Sequence, residues 1–96
     1  MVIGQVIGTV VATRKHERLV GGKIQIIQPL EPRTMKPAGE LFVAVDAVGA
    51  GVGEQVLVAC GSAARKAIDN ESAPVDATIV GIIDEVDISS GSGRKH

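Results

Sequence analysis

Apolar residues alternate with polar or small residues along most of this chain, which is the period-two pattern of β-strands. Valine and isoleucine supply 24 of the 96 residues, whereas leucine supplies four. These β-branched side chains suit a pleated sheet and lose rotamer freedom in helices. We therefore predict five strands, over residues 2–13, 23–30, 41–48, 54–60 and 77–88.

The segments between these strands carry turn and helix signals. The glycine-rich run 49–53 predicts a tight turn, because a strand follows it at once. Residues 61–68 contain alanine, arginine and lysine, which favour a helix of at most two turns, with Ser62 as its N-cap. The charged run 14–18 is interpreted as a solvated loop, with docking of a partner as the less favoured alternative.

Together these elements predict an all-β protein, a small five-stranded barrel with one short helix. Residues 1–88 form its single domain, and residues 89–96, which are polar throughout, form a flexible tail. A domain of this size buries a modest share of its surface, and the chain has one aromatic residue and one cysteine. Association with other copies is therefore the expected source of added stability.

Composition also excludes several classes of function. The chain carries 10 basic and 11 acidic residues and 1% aromatic residues, so it has neither the basic face nor the stacking platform of a nucleic-acid-binding protein. No apolar run reaches the roughly 18 residues of a membrane span. With one cysteine and no basic, apolar leader at the N-terminus, the sequence favours a cytoplasmic protein.

The candidate chemistry is sparse. Cys60, His16 and His96 show no metal-ligand spacing, and Cys60 is expected to be a buried small residue because it alternates with two valines. The glycine run does not open a helix, as a dinucleotide-binding loop would, and Ser62 does not fit a nucleophile elbow. We therefore predict no catalytic site, no metal and no cofactor.

Six stretches in order along the chain resemble the EutN/CcmL family of bacterial microcompartment vertex proteins. They are GTVVAT at 8–13, KIQIIQPL at 23–30, VAVD at 43–46, VGAGVGEQVLV at 48–58, GSAAR at 61–65 and PVDATIVGIID at 74–84. The resemblance covers almost the whole chain apart from the tail.

The resemblance implies an OB-like barrel that forms a homopentamer at the five-fold vertices of a shell built mainly from hexameric proteins. Within such a ring, the segment 61–65 is the best candidate for the region near the five-fold axis, because the small Gly61, Ser62 and Ala63 let five copies approach. Arg65 would then pair with a carboxylate such as Asp46 or Asp84. The alternative is a ring-forming lid similar to a co-chaperonin, which the charged character of the loop at 14–18 disfavours.

Overall fold

In the part of the chain that the structure describes, five strands form a closed barrel and one helix lies on its outside. The computed structural model describes residues 1–11, 23–67 and 76–87. The elements are β1 Val2–Val10, β2 Lys23–Pro29, β3 Phe42–Asp46, β4 Gln55–Cys60, α1 Ser62–Ala67 and β5 Ala77–Ile82. The barrel order is β1-β2-β3-β5-β4, and β3 pairs in parallel with β5 while the other pairs are antiparallel. The predicted all-β barrel with one short helix is confirmed.

All five strands are shorter than the alternation predicts, three of them by more than one residue. β1 ends at Val10 instead of residue 13, and β3 spans Phe42–Asp46 instead of residues 41–48. The largest difference is at β5, which ends at Ile82 instead of residue 88. The Ile83 N–H donates to the carbonyl oxygen of Gln55 at 2.8 Å, and Gln55 is the first residue of β4. Since β4 offers no residue beyond Gln55, the ladder has no partner for a longer β5.

A β-bulge in β1 changes which residues face the barrel interior. Val6 pairs with Ile27, but the next paired residue is Gly8, opposite Ile26, so Ile7 is the extra residue. Because an extra residue reverses the alternation, Thr9 faces inward while Gly8 and Val10 face outward. The regular alternation that the sequence predicts along this strand is therefore broken at Ile7.

The barrel interior is filled by small and β-branched side chains. The fully or nearly buried apolar core consists of Val6, Ile27, Ala44, Ala50, Val56, Val58, Ala77 and Ile79, with Val2 and Phe42 packed against it. Gly4 lies where β1 comes closest to β2. A Cβ on Gly4 would overlap Ile27 Cγ2 and lie 3.1 Å from the carbonyl oxygen of Gln28. The absence of a side chain at Gly4 therefore permits the close approach of the two strands.

The glycine-rich turn joins β3 to β4 and extends the pairing of β1. Gly49 and Gly53 have φ of 79° and 96°, a conformation that favours glycine. The Gly53 N–H donates to the Val6 carbonyl at 2.7 Å, and the Val6 N–H donates to the Glu54 carbonyl at 3.0 Å. The predicted turn is confirmed.

Three sequence predictions concern residues that the structure does not describe. The charged run 14–18 and the tail 89–96 lie outside the described residues. The bounds of the single domain, 1–88, also reach beyond them, so these bounds stay predictions.

Candidate subunit interface

The helix α1 carries most of the residues that the sequence places near a five-fold axis. Gly61, with φ of 62°, precedes it, and the helix begins at Ser62. Ser62 is thus the first helical residue and not the predicted cap before it. Ser62 and Ala63 are exposed, whereas Arg65 is half-buried.

Two hydrogen bonds and one buried alanine hold α1 on the outside of β4 and β5. The Gly61 N–H donates to the Asp76 carbonyl at 2.9 Å. The Thr78 hydroxyl donates to the carbonyl oxygen of Ala64 at 2.9 Å, and both residues are fully buried. Ala59 pairs with Thr78 and is buried on the same outer side. The exposed residues of α1 are therefore presented from a fixed position.

Asp46 has a structural role within its own chain. One carboxylate oxygen, Oδ1, accepts hydrogen bonds from the N–H groups of Val48 and Gly49, each at 2.9 Å. The other, Oδ2, accepts a hydrogen bond from Gln25 Nε2 at 3.3 Å. Asp46 is buried, with 8% of its surface exposed. Its carboxylate therefore fixes the turn after β3. Asp46 and Asp84 are the two carboxylates predicted to pair with Arg65, and Asp46 is the less accessible to such a partner.

Asp84 is exposed but lies at the opposite end of β5 from the helix. Ala77, the first residue of β5, pairs with Cys60, just before α1, whereas Ile82 pairs with Val56 at the far end of β4. Asp84 follows Ile82 by two residues. A contact between Arg65 and Asp84 would therefore have to form between copies, and it stays a prediction.

Gln25 is the residue that the sequence analysis missed. It is 1% exposed in the middle of β2. Its Nε2 donates to the Ala50 carbonyl at 2.8 Å as well as to Asp46, and its Oε1 accepts a hydrogen bond from the Thr9 hydroxyl at 2.7 Å. This network ties β1, β2 and β3 to the turn after β3. The only sequence signal was a polar residue at an inward position between isoleucines.

The outer sides of β3 and of the first half of β2 are apolar, although their inner sides already form the core. Ile24 pairs with Val45 and Ile26 pairs with Val43, and Val10 and Gly8 continue these two rows on β1. We call these six residues the sheet face. Val43 is 55% exposed. An antiparallel sheet with a solvated outer side normally carries polar residues there, so this surface is typical of an interface.

Cys60 is exposed, and the prediction that it is a buried core residue is wrong. It points toward the end of the barrel, where Val2, Phe42, Val43, Asp76 and Ala77 line an open groove of about 600 Å³ with it. The alternation places Cys60 on the same side as Val58, but β4 ends there and the barrel no longer covers it.

Neither a metal centre nor a membrane-spanning helix is present in the part of the chain that the structure describes. No three histidine, cysteine, aspartate or glutamate side chains converge there to hold a metal ion. The described helix is too short to cross a membrane. Every buried side-chain polar atom in these residues has a hydrogen-bond partner.

The known proteins that this chain resembles match it over nearly their whole length and nearly the whole length of this chain. The family described as "Ethanolamine utilisation protein EutN/carboxysome" matches residues 1–84. The carboxysome shell vertex protein CcmL of Synechocystis sp. is 49% identical over 92 residues, covering 96% of this chain and 91% of the relative. The bacterial microcompartment shell vertex protein GrpN of Rhodospirillum rubrum is 46% identical over 87 residues, covering 91% of this chain and 97% of the relative.

The fold agrees with these relatives. A solved structure described as the GrpN pentameric microcompartment shell protein from Rhodospirillum rubrum superposes with a TM-score of 0.82 at 45% identity, covering 93% of this chain and all of that chain. The shell-vertex names of these relatives favour the vertex interpretation over the co-chaperonin-like lid. The chain belongs to the EutN/CcmL family of bacterial microcompartment shell vertex proteins.

Proposed function

We propose that five copies of this chain form a closed ring that occupies the vertices of a bacterial microcompartment shell. The observation that carries this proposal is the likeness to the pentameric GrpN structure, which covers all of that chain. The role is structural rather than catalytic.

The geometry of a closed shell explains why such a ring is needed. Hexagonal units tile a flat layer, and a polyhedral shell closes only where pentagonal units introduce curvature. A cyclic ring is built from a heterologous interface, in which two different surfaces of each copy meet. We propose that the outer rim of the ring contacts hexameric shell proteins through many weak contacts that act together.

We further propose that Gly61, Ser62, Ala63 and Arg65 lie near the five-fold axis. The exposed positions of Ser62 and Ala63 on an anchored helix support this placement. Arg65→Ala should make the ring dissociate at lower denaturant while the secondary structure of the single chain survives. Lys66→Ala, at an exposed position of the same helix, is the matched control. An unchanged dissociation midpoint for Arg65→Ala would contradict the axial placement.

The ring is tested by light scattering coupled to size-exclusion chromatography, which should give the mass of five chains. The elution is followed by peptide-bond absorbance, since the chain contains no tryptophan or tyrosine. A stable monomer or a ring of seven copies would overturn the proposal.

The vertex role is tested by electron microscopy of shells assembled with and without this chain, from a tile set that contains no second vertex protein. Shells made without it should remain open or form sheets and tubes. Equal numbers of closed, faceted shells in both samples would exclude the vertex role. A ring-forming lid for another assembly would likewise leave shell closure unchanged.

A further inference from the structure

The groove that contains Cys60 lies at the end of the barrel where β1, β3 and β5 begin and where β4 ends. Its walls come from the ends of these four strands. The described residues that line it are Val2, Phe42, Val43, Cys60, Asp76 and Ala77. With a volume of about 600 Å³, the groove has the size of a site for a small ligand, and the mouths of β-barrels are a common place for such sites.

Contacts within the chain hold the walls of this groove in place. Cys60 is the last residue of β4 and pairs with the first residue of β5, so these two strands are joined at the rim. The Gly61 N–H donates to the Asp76 carbonyl oxygen at 2.9 Å, which fixes the backbone that carries the Asp76 side chain. Val2 and Phe42 are partly buried and pack against the core. The groove is therefore formed before any ligand enters it.

The chemistry of the lining residues limits what the groove can bind. Among the described residues that line it, Asp76 is the one that carries a charge. Asp76 is exposed, and no described residue pairs with its carboxylate. The other lining side chains are apolar, apart from the thiol of Cys60. A ligand that matches this surface combines an apolar chain, which leaves water on binding, with a positive charge, which pairs with the carboxylate.

We propose that the groove binds small organic ammonium ions that carry a short alkyl chain. The alkyl chain lies against Val2, Phe42 and Val43, and the ammonium group donates hydrogen bonds to the Asp76 carboxylate. A neutral alcohol lacks the charge pair, and a cation without an alkyl chain lacks the apolar contact, so both bind more weakly. This binding is a property of the single chain and does not depend on the proposed ring.

The affinity should rise with the length of the alkyl chain. Complete burial of one methylene group strengthens binding about fourfold. Because the groove is open on one side, we expect about twofold for each methylene group from propylammonium to hexylammonium. The charge pair at an exposed carboxylate adds about fivefold, and added salt should weaken this part of the affinity alone.

Protection of Cys60 from alkylation measures this binding, because Cys60 lines the groove and is the only thiol of the chain. The unmodified protein is treated with iodoacetamide at neutral pH and increasing concentrations of hexylammonium chloride, and the alkylated fraction is measured by mass spectrometry. Hexylammonium should slow the reaction in a saturable way. Hexanol and methylammonium at the same concentrations should slow it far less. Light scattering on the same samples checks that the number of associated chains does not change.

Asp76→Asn tests the role of the carboxylate, because it removes the charge and keeps the shape of the side chain. The bond from Gly61 uses the backbone carbonyl of Asp76, so this bond persists in the variant. The concentration of hexylammonium that gives half of the full protection should rise about fivefold. Glu85→Gln removes an exposed carboxylate beyond the other end of β5. It is the matched control and should leave this concentration unchanged.

Three results would overturn the proposal. Equal protection by hexanol, or equal protection of Asp76→Asn, would show that the groove has an apolar surface but no preference for cations. No protection by hexylammonium at any concentration would show that the groove does not take such a ligand. A Cys60 that fails to react even without ligand would show that the groove is closed in the assembled protein, and the proposed ring would still stand.

Discussion

The inside of the barrel and the sheet face are built from the same residue types, but they differ in how far the chain itself buries them. Inside, Ile27 and Val6 are completely buried by the chain's own strands, and the polar Gln25 among them has all its hydrogen bonds made. Outside, on the neighbouring strand β3, Val43 is 55% exposed and Val45 is only half-buried. Strand propensity therefore cannot distinguish a residue that serves folding from one that serves assembly.

Substitutions at these two places should therefore differ in which equilibrium they shift, the unfolding of one copy or the dissociation of the ring. A change inside the barrel should lower the free energy of unfolding of each copy, whereas a change on the sheet face should lower the stability of the ring first. Measurements of unfolding should be made at one protein concentration, since assembly makes apparent stability depend on it.

The largest effect is expected at Gly4. Gly4→Ala places a methyl group against Ile27 Cγ2 and the backbone of Gln28, so β1 and β2 must move apart. Overpacking of this kind costs about 3 kcal/mol. Denaturant unfolding should show a lower midpoint with an unchanged slope.

Gly8→Ala is the matched control for Gly4→Ala when the unfolding of the dissociated chain is measured, since Gly8 also lies on the sheet face. It lies in the same strand, but its nearest neighbouring atom would be 3.5 Å from the new Cβ, which is ordinary contact. If Gly8→Ala and Gly4→Ala were equally destabilising, the close approach at Gly4 would not be the cause.

Gln25→Leu should cost about 2 kcal/mol, because it leaves the Ala50 carbonyl without the Gln25 donor and the Asp46 carboxylate with one donor fewer. Leucine keeps the volume of the side chain, so the loss reports the hydrogen bonds rather than a cavity. Thermal unfolding of the two proteins at the same concentration measures it. Gln28→Leu on the same strand, where the amide is only partly buried, should change stability far less.

Thr78→Val removes one hydrogen bond between β5 and α1 and should cost about 1 kcal/mol. The larger consequence is local, since the Ala64 carbonyl loses its partner and α1 is held less firmly. Hydrogen exchange should therefore accelerate in residues 62–67 more than in β2. Uniform acceleration across the barrel would show that Thr78 supports the whole fold instead of the helix.

Sequence reasoning predicted the strands well where turns separate them. Gly49, Gly53 and the prolines after β2 interrupt the alternation, and these interruptions are local. It failed where long-range pairing decides the outcome. The bulge at Ile7 leaves no trace in composition, and the end of β5 at Ile82 depends on where β4 begins.

The candidate site shows the same limit. The sequence predicts the helix at 61–68 because helix propensity is local. Gln25, in contrast, contacts Asp46 and Ala50 across 21 and 25 residues of sequence. The exposure of Cys60 follows from the end of the barrel, which alternation along one strand does not reveal. The residues that contact a second copy cannot be identified from the local pattern of one chain.

The smallest effect is expected at Glu31, in the loop between β2 and β3, which belongs to neither the barrel interior nor the sheet face. Its carboxylate accepts hydrogen bonds from the N–H groups of Arg33 and Thr34, each at 2.9 Å. The Arg33 N–H in particular holds the pKa of Glu31 below its ordinary value of 4.5, because the bonds favour the charged form. A lowered pKa in the folded state stabilises the protein above pH 4.5, and the stabilisation is lost as the pH falls through the folded-state pKa. Glu31→Gln should therefore lower the thermal midpoint slightly at neutral pH, and the difference from the unmodified protein should shrink in acid. A difference that is constant with pH would show that the glutamate charge is not its cause.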